Sequence, residues 1–210
     1  MSAVSPPPFQ APKPNTFLAS AGYAWSGLIH TAVHQRNMRM HLISGLLVAL
    51  VGSGIPLGLA EKVTLVFCVL LVLFAEMLNS ALEQLVDLAV QQFDPKAKLT
   101  KDIAAAGVLV LAVGTVAIFA LVLVHNADAV TENLLAVQRQ VLVGVPLTVV
   151  SGALMHERAR PGAVNVLLGV VGFALWAVTL TWSTSAVFSA MAFGFLVVSA
   201  AAARARRLQK

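Results

Sequence analysis

Charged side chains are scarce in this sequence, and cysteine is almost absent. Only 11% of the 210 residues are charged, whereas 59% are hydrophobic. A soluble domain is nearer half apolar and about a quarter charged, so this composition indicates an integral membrane protein. The single cysteine, Cys68, excludes an intrachain disulfide and any cysteine-based metal cluster. The sequence also lacks a GxxxxGK[ST] phosphate loop and a Gly-rich kinase loop, which excludes the two common soluble nucleotide-binding folds.

The N-terminal segment and the net charge both have simple explanations. Residues 1–15 contain five prolines and no apolar core of a signal peptide, so we predict a disordered tail. A net charge of +5 would suggest a nucleic-acid partner in a soluble protein. In a membrane protein the positive-inside rule explains it, and we expect no nucleic acid to bind.

The remaining chain has the pattern of helices on and across a membrane. Residues 16–35 place apolar side chains on one side of a helix, with Tyr23 and Trp25 suited to the headgroup level, which predicts an amphipathic surface helix. Six apolar segments of roughly membrane-spanning length follow. The predicted spans are 42–58, 63–90, 103–124, 138–155, 163–182 and 184–203.

The distribution of basic residues predicts the orientation of the chain. Twelve of the fourteen Lys and Arg residues fall on one side of the six predicted spans, and only Lys62 and Arg139 fall on the other. Both termini are therefore predicted to be cytoplasmic, and an odd number of spans would break this pattern. A polar connector, "HNADAVTEN", precedes spans that carry no internal charges. We predict a unit over residues 16–126 and a separate three-helix module over residues 127–210.

The second predicted span carries the polar residues that matter most. Glu76, Asn79, Glu83 and Asp87 are spaced by three, four and four residues, which places them on one helix face. A helix over residues 63–90 would be about 42 Å long, so its end should emerge into the cytoplasm, with Glu76 still within the inner leaflet. An ionisable residue at that depth is a functional candidate. The alternative is that Glu83 and Asp87 mark the membrane interface by pairing with Lys96 or Lys98.

The loop after this helix contains a second candidate site. In "QQFDPKAKLTKD", Asp94–Pro95 should end the helix, and Thr100 can cap the next one. That helix start, together with Lys96, Lys98 and Lys101, forms either an anion site suited to phosphate or an ordinary positive-inside loop. A buried carboxylate, further carboxylates for Mg²⁺ and a phosphate site would together suit phosphoryl transfer to a hydroxyl in the membrane.

Three segments give the chain a family resemblance. "GYAWSGLIHTAVHQRNMRMHLI", "AEMLNSALEQLVDL" and "AKLTKDIAAAGVLV" resemble the small integral-membrane prokaryotic diacylglycerol kinases and their undecaprenol kinase relatives. The resemblance covers roughly residues 16–125, and "RNMRMH" resembles the undecaprenol kinase branch more. The fold class is then all-α integral membrane, with a surface helix and three-span kinase bundle followed by three further transmembrane helices.

The resemblance implies a function and roles for particular residues. Members of the family are homotrimers in the bacterial cytoplasmic membrane, with active sites between subunits, and they transfer the γ-phosphate of ATP with Mg²⁺ to a lipid hydroxyl. The resemblance implies that Glu76 is the general base and that Asn79 is a nearby polar site residue. It also implies that Glu83 is a metal ligand that contacts ATP. The implied nucleotide-binding residues are Tyr23, Glu83, Gln92, Phe93, Asp94, Lys101 and Asp102. The implied lipid-substrate residues are Ser20, Ala21, Gly22, Ala24, Trp25 and Glu76.

One position departs from the family pattern. Gln35 stands where the family usually has a second metal-binding Glu, and no Asp or Glu occurs before Glu61. An amide oxygen can still bind Mg²⁺ but brings no charge. We therefore expect a lipid kinase with weaker metal affinity, acting on undecaprenol or, next, diacylglycerol.

Two other functions remain open from the sequence. A catalytically silent membrane subunit would explain Gln35 and the C-terminal module, for which the family has no counterpart. A small-molecule transporter using Glu76 and Asn79 is less favoured, because the charged groups cluster at the cytoplasmic end of two helices rather than along one path.

Overall fold

A computed structural model describes residues 16–156 and 160–208. Within these residues the chain forms only helices and no β-strand, which confirms the predicted all-α membrane fold class. The eight helices are α1 (Phe17–His34), α2 (Arg36–Ser53), α3 (Leu59–Ala89), α4 (Pro95–His125), α5 (Ala127–Glu132), α6 (Leu134–Met155), α7 (Gly162–Leu180) and α8 (Ala186–Leu208). The predicted disordered tail over residues 1–15 lies outside the described residues, as do Arg158 and Lys210.

Helix α1 has the bounds expected of the surface helix. Thr16 caps it by accepting a hydrogen bond from the amide of Ala19 at 3.2 Å. Its second half packs against α2 and α8, burying Ile29 and Ala32. Its first half is exposed, including Phe17 at 86% exposure. This exposed apolar half suits a lipid surface.

Helix α2 differs from the span predicted over residues 42–58. It begins at Arg36 and ends at Ser53, since Gly54 and Pro56 follow and Pro disfavours helical geometry in the residue before it. Its first six residues include two Arg, an Asn and a His, "RNMRMH". Of the six predicted spans, five correspond to helices in the described residues that are long and apolar enough to cross a membrane, namely α3, α4, α6, α7 and α8. Helix α2 falls short because its polar start leaves too brief an apolar stretch.

Helix α3 is longer than the hydrocarbon layer of a membrane. Its 31 residues span about 46 Å, compared with the ~30 Å of hydrocarbon, so one end must emerge, as the sequence predicted. It runs antiparallel to α2, because only a short turn joins them, and it packs mainly against α4. This length agrees with the prediction that the carboxylates near its C-terminal end reach a membrane surface.

The predicted start of α4 was wrong. Thr100 does not cap this helix; Asp94 does, accepting from the amides of Lys96 at 2.6 Å and Ala97 at 3.1 Å. Pro95 then occupies the first turn, where its fixed backbone angle favours the helix and its missing N–H costs nothing. The helix consequently starts six residues earlier, and the hydroxyl of Thr100 donates to the carbonyl of Lys96.

The helices after residue 126 share a core with those before it. Helices α6 and α8 both pack on α2, and the buried cluster includes Leu46 and Leu50 together with Leu147 and Phe188. Glycines allow these helices to approach closely: a Cβ at Gly52 would lie 2.8 Å from Phe188. Residues 127–210 thus cover α2, although their folding as an independent unit stays a prediction.

Candidate active site on helix α3

Three polar side chains are buried on one face of α3. Glu76, Asn79 and Ser80 are exposed by only 1%, 4% and 2%. Their spacing of three and four residues places them side by side over one helical turn. The sequence singled out Glu76 and Asn79 but missed Ser80, four residues after Glu76, whose role becomes visible only through its burial.

Close contacts fix the level of this face in the bundle. A Cβ at Gly45 of α2 would lie 2.8 Å from Val69 of α3 and 2.9 Å from Phe195 of α8, so these residues share a level. Glu76 lies seven residues after Val69, which is about 10.5 Å further along α3. Ala202 lies the same distance after Phe195 along α8. The C-terminal half of α8, from the added module, therefore lies level with the buried carboxylate.

Several oxygens on this face have no hydrogen-bond partner within the described part of the chain. They are Oε2 of Glu76, Oδ1 of Asn79 and Oγ of Ser80. The amide of Asn79 donates to Oε1 of Glu83 at 3.1 Å. Buried polar groups are usually satisfied because leaving them unpaired is costly. Three unpaired oxygens on one turn therefore favour a ligand-binding role over a structural one.

The charged residues beyond this turn form ion pairs between and within helices. Nζ of Lys101 on α4 lies 2.5 Å from Oδ1 of Asp87 on α3. Asp87 therefore pairs with Lys101, rather than with Lys96 or Lys98 as the alternative interpretation expected. Lys98 instead pairs with Asp102 at 2.5 Å along α4. Two predicted nucleotide-binding residues, Lys101 and Asp102, thus lie at the same end of the bundle as Glu83.

The predicted anion site at the start of α4 needs a correction. The carboxylate of Asp94 occupies the amides of Lys96 and Ala97, which the sequence interpretation had left for phosphate. Lys98 and Lys101 lie along the helix instead of at its first residue. Gln92 and Phe93 are exposed in the loop, next to a cavity of 320 Å³ between α3 and α4. Any phosphate held here would rely on the lysine side chains.

The predicted site residues of α1 lie apart from the polar residues of α3 and α4 described above. The stretch Ser20–Trp25, which contains the predicted lipid-contacting residues and Tyr23, is exposed. Gln35 is half-buried at the α1–α2 junction. Its backbone amide donates to the carbonyl of Thr31 at 2.8 Å, and its side chain makes no capping bond. Among the described residues, no hydrogen bond or ion pair joins Tyr23 or Gln35 to Glu76 or Glu83.

The donor set suits Mg²⁺ only in part. In the described ranges there is no group of three or more His, Cys, Asp or Glu side chains that could hold a metal. Glu83 and the unpaired oxygens of Glu76 and Asn79 are hard ligands, which Mg²⁺ prefers. Mg²⁺ commonly uses one or two carboxylates together with substrate phosphates, so these residues fit a metal that arrives with a nucleotide.

Comparison with known proteins gives this geometry its context. The sequence profile of the prokaryotic diacylglycerol kinase family matches residues 22–123. A diacylglycerol kinase of Synechocystis sp. is 39% identical over 100 residues, which are 47% of this chain and 57% of that protein. A diacylglycerol kinase of Escherichia coli K12 is 29% identical over 93 residues, covering 44% of this chain and 76% of the relative.

A further relative decides the family. An undecaprenol kinase of Bacillus subtilis is 33% identical over 99 residues, covering 47% of this chain and 80% of that protein. The matched region spans little more than half of the Synechocystis protein, and no solved structure matches the chain. The matches and the five apolar helices describe a multi-pass bacterial membrane protein. The chain belongs to the prokaryotic diacylglycerol kinase family.

Proposed function

We propose that this protein phosphorylates a membrane lipid alcohol with ATP at the cytoplasmic surface of the membrane. The observation that carries the proposal is the buried carboxylate of Glu76, 1% exposed and with one oxygen unpaired. It lies on a helix whose C-terminal end emerges from the membrane beside Lys101 and Asp102. Family membership supplies the reaction class.

Each residue of this face has a proposed part in the reaction. The lipid hydroxyl oxygen attacks the γ-phosphorus of ATP, so a new O–P bond forms while the bond to the β-phosphate oxygen breaks and ADP leaves. Glu76 accepts the hydroxyl proton, as a general base placed within hydrogen-bond reach would. Asn79, held by Glu83 at 3.1 Å, orients the reacting groups through its free carbonyl oxygen.

The nucleotide and its metal would bind one turn further toward the cytoplasm. Glu83, with Gln35 as a neutral second ligand, would hold Mg²⁺. When bound, the metal neutralises charge on the transferring phosphate. Tyr23, the loop residues Gln92, Phe93 and Asp94, and the pair Lys101 and Asp102 would bind the nucleotide.

The lipid could be undecaprenol or diacylglycerol, and we favour undecaprenol. The segment "RNMRMH" supports this choice. The relatives carry both names, so they support a lipid alcohol without selecting one. Ser20, Ala21, Gly22, Ala24 and Trp25 on the exposed half of α1 would contact this lipid.

A homotrimer would complete the site between subunits. Among the described residues of one chain, α1 makes no hydrogen bond or ion pair to Glu76 or Glu83, while α4 packs mainly on α3 and leaves Val110, Val113 and Val116 exposed. A neighbouring subunit could therefore supply Tyr23 and Gln35. We also propose that both termini are cytoplasmic, which requires α2 to cross the membrane as a sixth span despite its polar start.

A catalytically silent subunit is the second candidate, and Gln35 is the observation that favours it. Without a second carboxylate the site could bind nucleotide yet hold its metal too weakly for transfer. A transporter is less favoured, because the ionisable groups of α3 and α4 gather at one end of the bundle.

One experiment separates these candidates. Purified full-length protein in lipid receives γ-labelled ATP, Mg²⁺ and either undecaprenol or diacylglycerol. We expect Mg²⁺-dependent labelled lipid, reduced about 10²–10⁴-fold in Glu76→Gln. Glu61→Gln, at the opposite end of α3, is the matched control and should keep full activity. Transfer to neither lipid would overturn the kinase proposal, and nucleotide binding without transfer would support the silent subunit.

A further inference from the structure

A groove between α1 and α8 lies apart from the buried carboxylate. We call this space, of 480 Å³, the α1–α8 groove. Its walls include Trp25, Ser26 and His30 of α1 and Ala201, Arg204 and Leu208 of α8. Neither Glu76 nor Glu83 lines it. The volume lies within the range of sites that hold small ligands.

The two helices that line this groove carry basic residues and, among the described residues, no acidic ones. Helix α8 ends in "RARRL" and contains no Asp or Glu, and α1 has none either. Arg206 is committed to the fold, since it donates to the carbonyl of Val33 at 2.8 Å and also to the carbonyls of Met155 and His156. In the described part of the chain, Arg204 makes no hydrogen bond or ion pair and is exposed into the groove.

The electrostatic surroundings of His34 agree with a surplus of positive charge near the groove. His34 lies on α1, close to Arg206 and Arg39. Burial, followed by the charges of His30, Arg206 and Arg39, holds the pKa of the His34 imidazole below its usual range. Burial is the larger cause of this lowered pKa, and the smaller electrostatic cause indicates a surplus of positive charge at this end of α1.

The position of the groove selects the kind of anion. It lies where the surface helix meets the basic end of α8, at the predicted cytoplasmic interface. Basic pockets between helices at this level bind lipid headgroups. Trp25, Ile29 and Leu208 add apolar walls, which suit the glycerol and upper acyl chain of a lipid better than a free ion.

We propose that the α1–α8 groove binds the phosphate headgroup of an anionic phospholipid of the cytoplasmic leaflet. Arg204 pairs with the phosphate, His30 donates a hydrogen bond to it, and Trp25 packs on the glycerol region. One wall comes from α1 and the other from α8, which lies beyond residues 22–123 matched by the family profile, so the groove requires the C-terminal helix α8. It does not depend on the kinase proposal, because binding requires neither ATP nor Glu76.

The test measures lipid retained by the full-length protein. Protein is reconstituted with phosphatidylcholine and phosphatidylglycerol, extracted gently and analysed by native mass spectrometry without ATP. We expect phosphatidylglycerol to be retained about five-fold over phosphatidylcholine, and Arg204→Gln to abolish that preference. Arg36→Gln, which removes an exposed charge at the start of α2 outside the groove, is the matched control and should leave it unchanged.

A second variant guards against a folding artefact. Ala201→Leu fills the groove without removing a charge, and we expect it to lower phosphatidylglycerol retention as much as Arg204→Gln does. The proposal is overturned if Arg36→Gln has an equal effect, since binding would then reflect surface charge alone. Displacement of phosphatidylglycerol by excess inorganic phosphate would also overturn it, because the site would then bind a free anion.

Discussion

At the scale of single residues, Glu76 places a carboxylate where the fold gains nothing from it. The side chain is buried with one oxygen unpaired, close in sequence to the unpaired oxygens of Asn79 and Ser80. A neutral amide at this position could donate to one of those acceptors. We therefore expect Glu76→Gln to stabilise the protein by about 1 kcal/mol while removing activity, measured as resistance to unfolding in one fixed detergent.

The control for this prediction lies on the same helix. Glu61→Gln makes the same change at the half-buried first turn of α3 and should alter stability by less than about 0.5 kcal/mol. A loss of stability in Glu76→Gln would mean that the carboxylate supports the fold, and the case for a functional residue would weaken.

Gln35 offers a gain-of-function test at the same scale. Its side chain makes no capping bond at the α1–α2 junction, so a carboxylate could replace it without breaking one. We expect Gln35→Glu to lower the Mg²⁺ concentration for half-maximal activity several-fold, because a second charge strengthens metal binding. Gln138→Glu, exposed on α6, is the control. Unchanged Mg²⁺ dependence and rate would show that residue 35 does not hold the metal.

The sequence was most informative about polar residues that lie within apolar segments. Glu76 and Asn79 could be found because polar groups in an apolar run are costly, and the structure buries both. The ion-pair partner of Asp87 could not be predicted. Choosing among Lys96, Lys98 and Lys101 requires knowing how α4 is rotated about its axis relative to α3. Ser80 was missed because a hydroxyl is common in membrane helices and stands out only once its burial is known.

At the scale of elements, one residue at the N-terminus of α4, Asp94, has two proposed roles. Asp94 caps the helix through the amides of Lys96 and Ala97 and is also a predicted nucleotide-binding residue. We expect Asp94→Ala to cost about 1 kcal/mol and to speed amide exchange over the first turn of α4. Asp94→Asn should keep the cap, because Asn is an equally good capping residue.

The same pair of variants separates the cap from nucleotide binding. If Asp94 contacts the nucleotide through its charge, Asp94→Asn should raise the KM for ATP while amide exchange stays normal. If both variants leave the KM unchanged, the residue acts only on the helix. Equal exchange in Asp94→Ala and the parent protein would contradict the cap itself.

Element bounds could be predicted where one signal dominated and not where two competed. Helix α1 agreed with its amphipathic pattern within a residue or two. The start of α4 was misplaced because Asp94–Pro95 can end one helix or begin the next. The structure resolves this by ending α3 at Ala89 and leaving a short loop before Asp94.

At the scale of the whole molecule, the C-terminal module is joined to the kinase region through α2. Its three long helices carry few polar markers, so the sequence could predict spans but not which surface they cover. The structure packs α6 and α8 onto α2 and buries Leu42, Leu46 and Leu50 there. A module that covers α2 removes that helix from the surfaces left for self-association, whereas α4 keeps Val110 and Val116 exposed.

Small residues along α2 make this arrangement testable. A Cβ at Gly52 would lie 2.8 Å from Cε2 of Phe188, which is itself fully buried, whereas a Cβ at Gly114 on α4 meets nothing within 4 Å. We expect Gly52→Ala to destabilise the protein by about 1–3 kcal/mol through overpacking. Gly114→Ala should be neutral or stabilising, because Ala is the better helix former.

A compensating change distinguishes this contact from a general intolerance at Gly52. Phe188→Leu shortens the opposing side chain, so the double variant Gly52→Ala/Phe188→Leu should be more stable than the sum of the two single changes predicts. Resistance to unfolding of all four proteins gives the coupling energy, which should be at least about 0.5 kcal/mol. Additive effects would mean that α8 does not rest on α2 at this point.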